Sequence, residues 1–346
     1  MTTPVDICCL PLFVYPYVSV CSEFSAWRRY FHKTNAIGGC NPYGLPYECC
    51  VANGNQGWPR FTSHMYGFPE PNADGTQDLA VLLYAPNSFN ATLRHRAGGG
   101  RSSRVQITLE TEYPFGDMLT FFVVAGEQFK LRLRIPQWAA RPTIAVGSGL
   151  PAPATAASDG FHTVSVPQGE STFTLRLPMD VRIQEEQAGG VSVHAGALLF
   201  ALDLNPAEHT TGPGGCYYPP EGCEIAALKP SVNWRQALLL DKSAGPSGGL
   251  TVERVQKGGA AGIAPPFNRA SVALRIVAKA APIANSSWPT VNCTSMESGC
   301  HDCVGPIPSE AVVRESVLRE GESEVVFLVP FGATDIRMGV LPATWI

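Results

Sequence analysis

The sequence predicts a mainly β protein, built from two antiparallel β-sandwich domains that follow a short helical segment. Glycine (34) and proline (30) make up nearly a fifth of the 346 residues and only 16% are charged, as is typical of many short strands joined by turns. After residue 79, apolar and polar residues alternate with a period of two in several segments. The length exceeds the roughly 100 to 200 residues of one domain and favours two domains with an appendage.

The clearest strands lie between residues 105 and 177. In residues 105–110, 129–135 and 172–177, apolar side chains occupy every second position and polar side chains lie between them. Such alternation gives a strand one buried and one solvated face, as in antiparallel sheets packed on a core. These segments therefore predict a sandwich domain over residues 71–180.

A second series of strands is predicted after residue 180. Its members are residues 191–204, 271–278 and 324–330. Long segments rich in glycine, proline and serine separate them, at about residues 205–230 and 242–266. Residues 181–346 are therefore predicted to form a second β domain with large surface insertions.

Before residue 70 the pattern is different. Pro59 suits the first turn of a helix, where its missing N–H would have no partner, and a short helix is predicted from there through residues 61–65 towards Gly67. Residues 1–70 are therefore predicted to be the C-terminal end of a helical domain.

The composition argues against two classes of partner. A net charge of −4 and a pI near 6.0 leave no basic stripe for a nucleic acid backbone. The apolar run at residues 7–20 is too short to span a bilayer, contains Pro11 and Pro16, and follows Asp6 where a secretion signal has a positive charge. No nucleic acid partner, membrane segment or signal peptide is predicted.

Three glycosylation tripeptides, at Asn90, Asn285 and Asn292, fit a secretory route, but the compartment stays open.

Eleven cysteines include the adjacent pair Cys49 and Cys50. Neighbouring Cα atoms lie ~3.8 Å apart, below the ~4.4 Å at which ordinary disulfides begin, so this pair is poorly placed to bridge itself. The two thiols are directed to a metal or to distant partners. A thiolate beside a metal or a cation is a strong nucleophile, so the segment is a candidate reaction centre as well as a candidate cross-link.

The later cysteines favour local disulfides over a metal site. In an oxidising compartment, Cys216 would pair with Cys223, and Cys293 with Cys300 or Cys303. In a reducing compartment, all five would be free thiols.

The segment from residue 49 to residue 61, Cys-Cys-Val-Ala-Asn-Gly-Asn-Gln-Gly-Trp-Pro-Arg-Phe, resembles the double-cysteine segment of glycoside hydrolase family 127, the β-L-arabinofuranosidase-like enzymes. Further stretches resemble strand motifs of that family in the same order. They are residues 80–86, 111–115, 131–138, 233–238 and 328–334. The likeness covers roughly residues 45 to 342.

This resemblance implies an (α/α)6 catalytic barrel followed by two β-sandwich domains, and a carbohydrate substrate. It implies that Cys49 is both nucleophile and zinc ligand and that Cys50 is a second zinc ligand. The implied activity is hydrolysis of terminal β-L-arabinofuranosides with net retention, through a glycosyl-cysteine in place of the usual carboxylate pair.

The sequence departs from the family pattern upstream of Cys49. Twelve helices of roughly 11 to 12 residues do not fit into the 48 residues before it, so most of the barrel is expected to be absent. The family's Glu-x-Cys ligand pair has no counterpart at Cys21 or Cys40, and neither Glu23 nor Glu48 is assigned as the acid/base. Three alternatives therefore stay open: inactive thiols in a shortened enzyme, a noncatalytic β-sandwich protein that binds glycans or a partner, and a longer protein whose upstream part is missing from this sequence.

Aromatic side chains are the other candidates for sugar contacts, since their faces stack on sugar rings. They are Trp58, Tyr66, Trp138, Trp234 and Trp288. Most of them are predicted to fill cores instead. His64 and His194 are predicted to be packed or surface histidines rather than catalytic ones.

Overall fold

The computed structural model describes residues 6–8, 33–35, 38–40, 56–95, 101–187, 189–204, 206–213, 224–255, 272–292, 302–320, 322–334 and 338–346. The chain divides into two compact units. Unit 1 comprises residues 1–18 and 53–180, and unit 2 comprises residues 19–52 and 181–346. The three domains predicted from the sequence, 1–70, 71–180 and 181–346, stay a prediction.

Strands dominate the described residues, as predicted. In chain order the elements are β1 (Asp6–Cys8), β2 (Lys33–Asn35), β3 (Gly38–Cys40), α1 (Gly57–Ser63), β4 (Tyr66–Gly67), β5 (Leu79–Val81), β6 (Asn87–His95), β7 (Arg101–Thr111), β8 (Met118–Ala125), β9 (Phe129–Arg134), β10 (Thr143–Val146), β11 (Ala152–Pro153), β12 (Phe161–Val166), β13 (Gly169–Arg176), β14 (Val181–Glu185), β15 (Val191–Ala195), β16 (Leu198–Leu202), β17 (Pro206–Pro213), β18 (Glu224–Pro230), β19 (Gln236–Leu240), the 3-10 helix η1 (Lys242–Ser247), β20 (Thr251–Arg254), β21 (Leu274–Pro282), β22 (Thr290–Asn292), β23 (Asp302–Val304), α2 (Glu310–Glu320), β24 (Glu324–Pro330), the 3-10 helix η2 (Phe331–Ala333), β25 (Val340–Leu341) and β26 (Ala343–Trp345). The mainly β fold class is confirmed.

Unit 1 is a sandwich of a seven-stranded sheet and a four-stranded sheet. The strand orders are β1-β6-β7-β8-β13-β10-β11 and β12-β9-β5-β4. Inward side chains of both sheets form one apolar core, which includes Phe89, Phe121 and Phe173 from the first sheet and Leu79 and Leu131 from the second. The alternation read from the sequence is therefore the alternation of core and solvent faces.

One pairing in unit 1 differs from the antiparallel expectation. β5 and β9 are parallel, with Leu79 opposite Leu131 and Val81 opposite Leu133. The chain leaves the four-stranded sheet after β5 and returns to it only at β9. Because no hairpin joins these two strands, nothing in their connection requires them to be antiparallel.

Unit 2 is built around a nine-stranded sheet. Its main path is β14-β15-β16-β24-β21-β19-β26, while β20 pairs with β21 and β25 pairs with β15. A second sheet has the order β17-β18-β3-β2, and β22 pairs with β23. Fully buried side chains of the large sheet include Phe200, Leu238, Ile276 and Leu328.

The structure corrects one strand expected in unit 2 and adds elements that the sequence did not predict. The single strand expected at residues 191–204 is two strands, because the chain turns at Gly196, whose φ is +57°. The expected insertion at residues 205–230 contains the hairpin of β17 and β18, and the one at residues 242–266 contains η1 and β20. The helix α2 was not expected.

The predicted helical end of residues 1–70 is supported only by α1. The helix stops at Ser63 rather than near Gly67, because β4 pairs with β5 through Tyr66 and Val81. Among the described residues before α1, the secondary structure is strand, in β1, β2 and β3.

Candidate active site

The two cysteines predicted to carry the chemistry, Cys49 and Cys50, lie outside the described residues. The carboxylates considered beside them, Glu23 and Glu48, also lie outside. The assignment of a nucleophile and of zinc ligands therefore stays a prediction. The structure does describe the polypeptide that follows the pair, from Gln56 onward.

This following segment forms α1, a helix of two turns. The Arg60 N–H donates to the Gln56 carbonyl at 3.1 Å, and Pro59 occupies the first turn, where it forfeits no backbone hydrogen bond. The Thr62 and Ser63 hydroxyls donate to the Pro59 and Arg60 carbonyls, each at 3.0 Å. These bonds hold a helix that is too short to be stable alone.

Tertiary contacts fix the C-terminal end of α1 to unit 1. Phe61 packs against the core, and Met65 is completely buried. The Met65 carbonyl accepts the Leu82 N–H at 2.8 Å, just beyond β5. The polypeptide six residues after Cys50 thus enters an element that is anchored to the sandwich by apolar packing and a backbone hydrogen bond.

His64 follows the last residue of α1 and lies at the surface. Its Nδ1 lies 2.7 Å from the Arg60 carbonyl oxygen and 3.0 Å from the Ser63 Oγ. A carbonyl oxygen only accepts, so Nδ1 carries the proton of the neutral ring and Nε2 is the acceptor. The histidine is exposed, which is the surface case of the packed or surface role predicted from the sequence.

The aromatic candidates for sugar contacts mostly fill cores, as predicted. Tyr66 stacks on Phe89 with ring centroids 3.9 Å apart, and its hydroxyl donates to the Asn87 Oδ1 at 2.8 Å. Trp234 and Trp288 are buried edge to face, with ring centroids 4.9 Å apart.

Two further tryptophans complete this set. Trp138 is half-buried and packs against the core of unit 1. The side chain of Trp58 lies outside the described residues. These two tryptophans therefore give no evidence for a sugar-binding surface.

A polar cluster that sequence reasoning missed lies on β15 and in the turn that precedes it. The Ser192 hydroxyl donates to the Glu186 carboxylate, and its Oγ lies 3.0 Å from the His194 Nε2. Burial lowers the pKa of His194, and the nearby Arg182 guanidinium lowers it further. Only the alternate positions of Ser192 and His194 on one strand could have indicated this pairing.

This cluster is structural. The Ser192 proton goes to Glu186 rather than to the imidazole, so the histidine does not activate the hydroxyl as a nucleophile. Ser192 is also buried, which keeps a substrate away from it. The cluster cross-links β15 to the turn that precedes it.

The described part of the chain contains no group of three or more His, Cys, Asp or Glu side chains that could hold a metal ion. Within the same residues, no helix has the length and apolar character needed to cross a membrane.

Residues 78–179 match the family model of the GH127 β-L-arabinofuranosidase middle domain. The resemblance noted in the sequence is confirmed there, over a stretch that contains every strand from β5 to β13. A comparison with curated protein sequences found no match.

A solved structure shows the same fold. A GH127 β-L-arabinofuranosidase from Geobacillus stearothermophilus T6 is similar with a TM-score of 0.51 and 16% identity, over 87% of this chain and 38% of that chain. Another GH127 β-arabinofuranosidase has a TM-score of 0.49 and 13% identity, over 86% of this chain and 39% of that one. At these identities the likeness concerns the fold alone, and the chain spans about two fifths of the length of these proteins.

Proposed function

Since this chain carries a GH127 middle domain at residues 78–179, we propose that it belongs to a glycoside hydrolase-like protein acting on a carbohydrate. The proposed ancestral activity is hydrolysis of terminal β-L-arabinofuranosides. The family match is the observation that supports it. Because the chain covers 38% of the Geobacillus enzyme, the activity of a whole enzyme is a proposal for this chain.

Cys49 is the proposed nucleophile. Its thiolate attacks the anomeric carbon, the bond to the leaving oxygen breaks, and that oxygen takes up a proton. Water then displaces the sulfur from the glycosyl-cysteine. Two inversions at one carbon give net retention, as in glycosidases that use a carboxylate for the same step. No residue of this chain is assigned as the acid/base.

Zinc is the proposed cofactor, with Cys49 and Cys50 as two of its ligands. Thiolates are preferred zinc donors, so the pair suits this metal but supplies only half of a tetrahedral set. When bound, the metal would lower the pKa of the thiol and favour the reactive thiolate at neutral pH. The remaining ligands are not assigned, since the family's Glu-x-Cys pair is not found upstream in the sequence.

The anchoring of α1 supports a positioning role for this segment. Reaction geometry requires a nucleophile held within narrow limits, and in this proposal α1 is the anchored element to which the cysteine-bearing segment is attached. Met65 and Phe61 provide that fixed end on unit 1.

The test is release of a chromophore from a β-L-arabinofuranoside. If this chain retains the ancestral activity, the zinc-loaded wild type turns over, Cys49→Ser loses turnover, and the control Cys9→Ser keeps it. A glycosyl adduct on the tryptic peptide that contains Cys49 would identify the covalent step. No turnover from folded, zinc-loaded wild type would contradict hydrolysis.

The second candidate function is noncatalytic glycan binding. It is favoured by the position of the family match, which lies wholly in a β-sandwich and does not include the cysteine pair. Titration with plant or algal cell-wall oligosaccharides distinguishes the two functions. Binding without hydrolysis supports this candidate, and indifference to every glycan removes it.

A further inference from the structure

Three large apolar side chains are exposed on β8, a central strand of the seven-stranded sheet of unit 1. Met118, Phe122 and Val124 are 53%, 42% and 46% exposed. They occupy the outward positions of the strand, whose inward positions are buried in the core. We refer to Met118, Phe122 and Val124 as the outer apolar strip.

Polar side chains border this strip on both neighbouring strands. Thr108 of β7 and Thr172 of β13 lie opposite Phe122. Gln106 and Glu170 occupy the same positions beside Val124, and both are exposed. An apolar patch with a polar rim is typical of a surface that another group covers.

A glycosylation tripeptide lies on the same face. Asn90 and Thr92 of the sequence Asn90-Ala91-Thr92 are both exposed on β6, while Phe89 and Leu93 point into the core. Gln106 lies opposite Asn90 on one side and opposite Val124 on the other. At one strand spacing per step, Asn90 is roughly 10 Å from Val124 across the face.

We infer that Asn90 is an N-glycosylation site whose glycan covers the outer apolar strip. The donor is an oligosaccharide linked to a lipid diphosphate. The Asn90 Nδ2 forms a bond to C1 of the first N-acetylglucosamine, the bond from C1 to the diphosphate breaks, and the amide proton passes to a base of the transferase. The acetyl methyl and the C–H face of the first sugars then pack on Phe122 and Val124, and their hydroxyls face water and the polar rim.

Asn285 provides an internal reference for this inference. It is exposed in the turn after β21, where the Ser287 N–H donates to the Ala284 carbonyl at 2.9 Å. Its tripeptide Asn285-Ser286-Ser287 is accessible to the same transferase. Asn285 belongs to unit 2, outside the outer apolar strip. Its modification shows only that the chain has been exposed to the glycosyltransferase.

The first experiment locates the modification. The full chain is secreted from a eukaryotic host, treated with an amidase that removes N-glycans in heavy-oxygen water, and digested with trypsin. Residues 61–94 form a tryptic peptide whose only Asn-x-Ser/Thr tripeptide is the one at Asn90. We expect heavy aspartate in this peptide from the wild type and from Thr92→Ser, and none from Thr92→Ala or Asn90→Gln.

The second experiment tests the cover. Enzymatic removal of glycans from the folded wild type should increase the fluorescence of a hydrophobic dye and promote self-association. Asn90→Gln should show the same increase in dye fluorescence and self-association. Asn285→Gln should show neither increase. The double variant Asn90→Gln with Phe122→Thr should return the dye fluorescence to the low level of the glycosylated wild type. Asn90 unmodified in secreted protein would overturn the inference, whether or not Asn285 is modified. A glycan at Asn90 whose removal leaves dye binding unchanged would also overturn it.

Discussion

Phe121 and Phe122 are neighbours in sequence but lie on opposite faces of β8. Phe121 is fully buried in the core of unit 1, whereas Phe122 belongs to the outer apolar strip. We expect Phe121→Ala to lower the free energy of unfolding by about 3–5 kcal/mol, through lost burial and the cavity that remains. Phe122→Ala is the matched control and should cost less than about 1 kcal/mol. Urea unfolding measures both, and equal losses would contradict the assignment of the two faces.

His194 should make the stability of unit 2 depend on pH. The groups that face it are Arg182, Glu186 and Ser192, and burial with the Arg182 charge holds its pKa below the ordinary 6.5. The unfolded chain therefore binds a proton at a higher pH than the folded chain does. The free energy of unfolding should fall as the pH is lowered through 6.5 and level off below the depressed pKa.

The control for this effect is His194→Gln. Urea unfolding of both proteins from about pH 7 to about pH 5 should show a steeper loss of stability in the wild type, since the variant lacks the titrating ring. Both proteins contain the same carboxylates, so the difference between the two curves reports on the ring. Parallel stability curves would contradict the assignment to His194.

At the scale of single elements, the turn between β14 and β15 depends on Gly190. Its φ is +76°, and a Cβ there would lie 2.7 Å from the Leu341 carbonyl oxygen in β25. We expect Gly190→Ala to lower the free energy of unfolding by more than the roughly 1–3 kcal/mol of a strained backbone, because the clash is with backbone.

Gly189 of the same turn is the matched control. Its φ is +90°, but the nearest atom to an added Cβ is 3.9 Å away. Gly189→Ala should therefore cost only the backbone penalty of about 1–2 kcal/mol. Thermal or urea unfolding of the two variants checks the difference, and a larger loss in Gly189→Ala would contradict it.

The strands could be predicted where one face is buried. β9 shows this, since Phe129, Leu131 and Leu133 face the core and their neighbours do not. Segments without a clear alternation of apolar and polar residues give no strand signal, so the sequence predicts an insertion where the structure has the hairpin of β17 and β18. The helix α2 was missed because its apolar residues do not form a clear stripe, and only Val313 is fully buried.

At the scale of the whole molecule, local pattern does not determine which strands pair. The parallel contact of β5 with β9 joins residues about fifty positions apart, and no turn between them sets the register. The candidate site was identified through the rare adjacency of Cys49 and Cys50. Its remaining ligands could not be derived in this way, because a metal site is assembled from residues distant in sequence.

The parallel pairing of β19 with β26 has a consequence for synthesis. Leu238 to Leu240 lie beside Ala343 to Trp345. One edge of β19 therefore has no partner until about a hundred more residues have been synthesised. At the roughly 5–20 residues per second of translation, the nascent chain carries that open edge for about 5–20 s. During this interval the emerging strand is a template for strand addition by neighbouring chains.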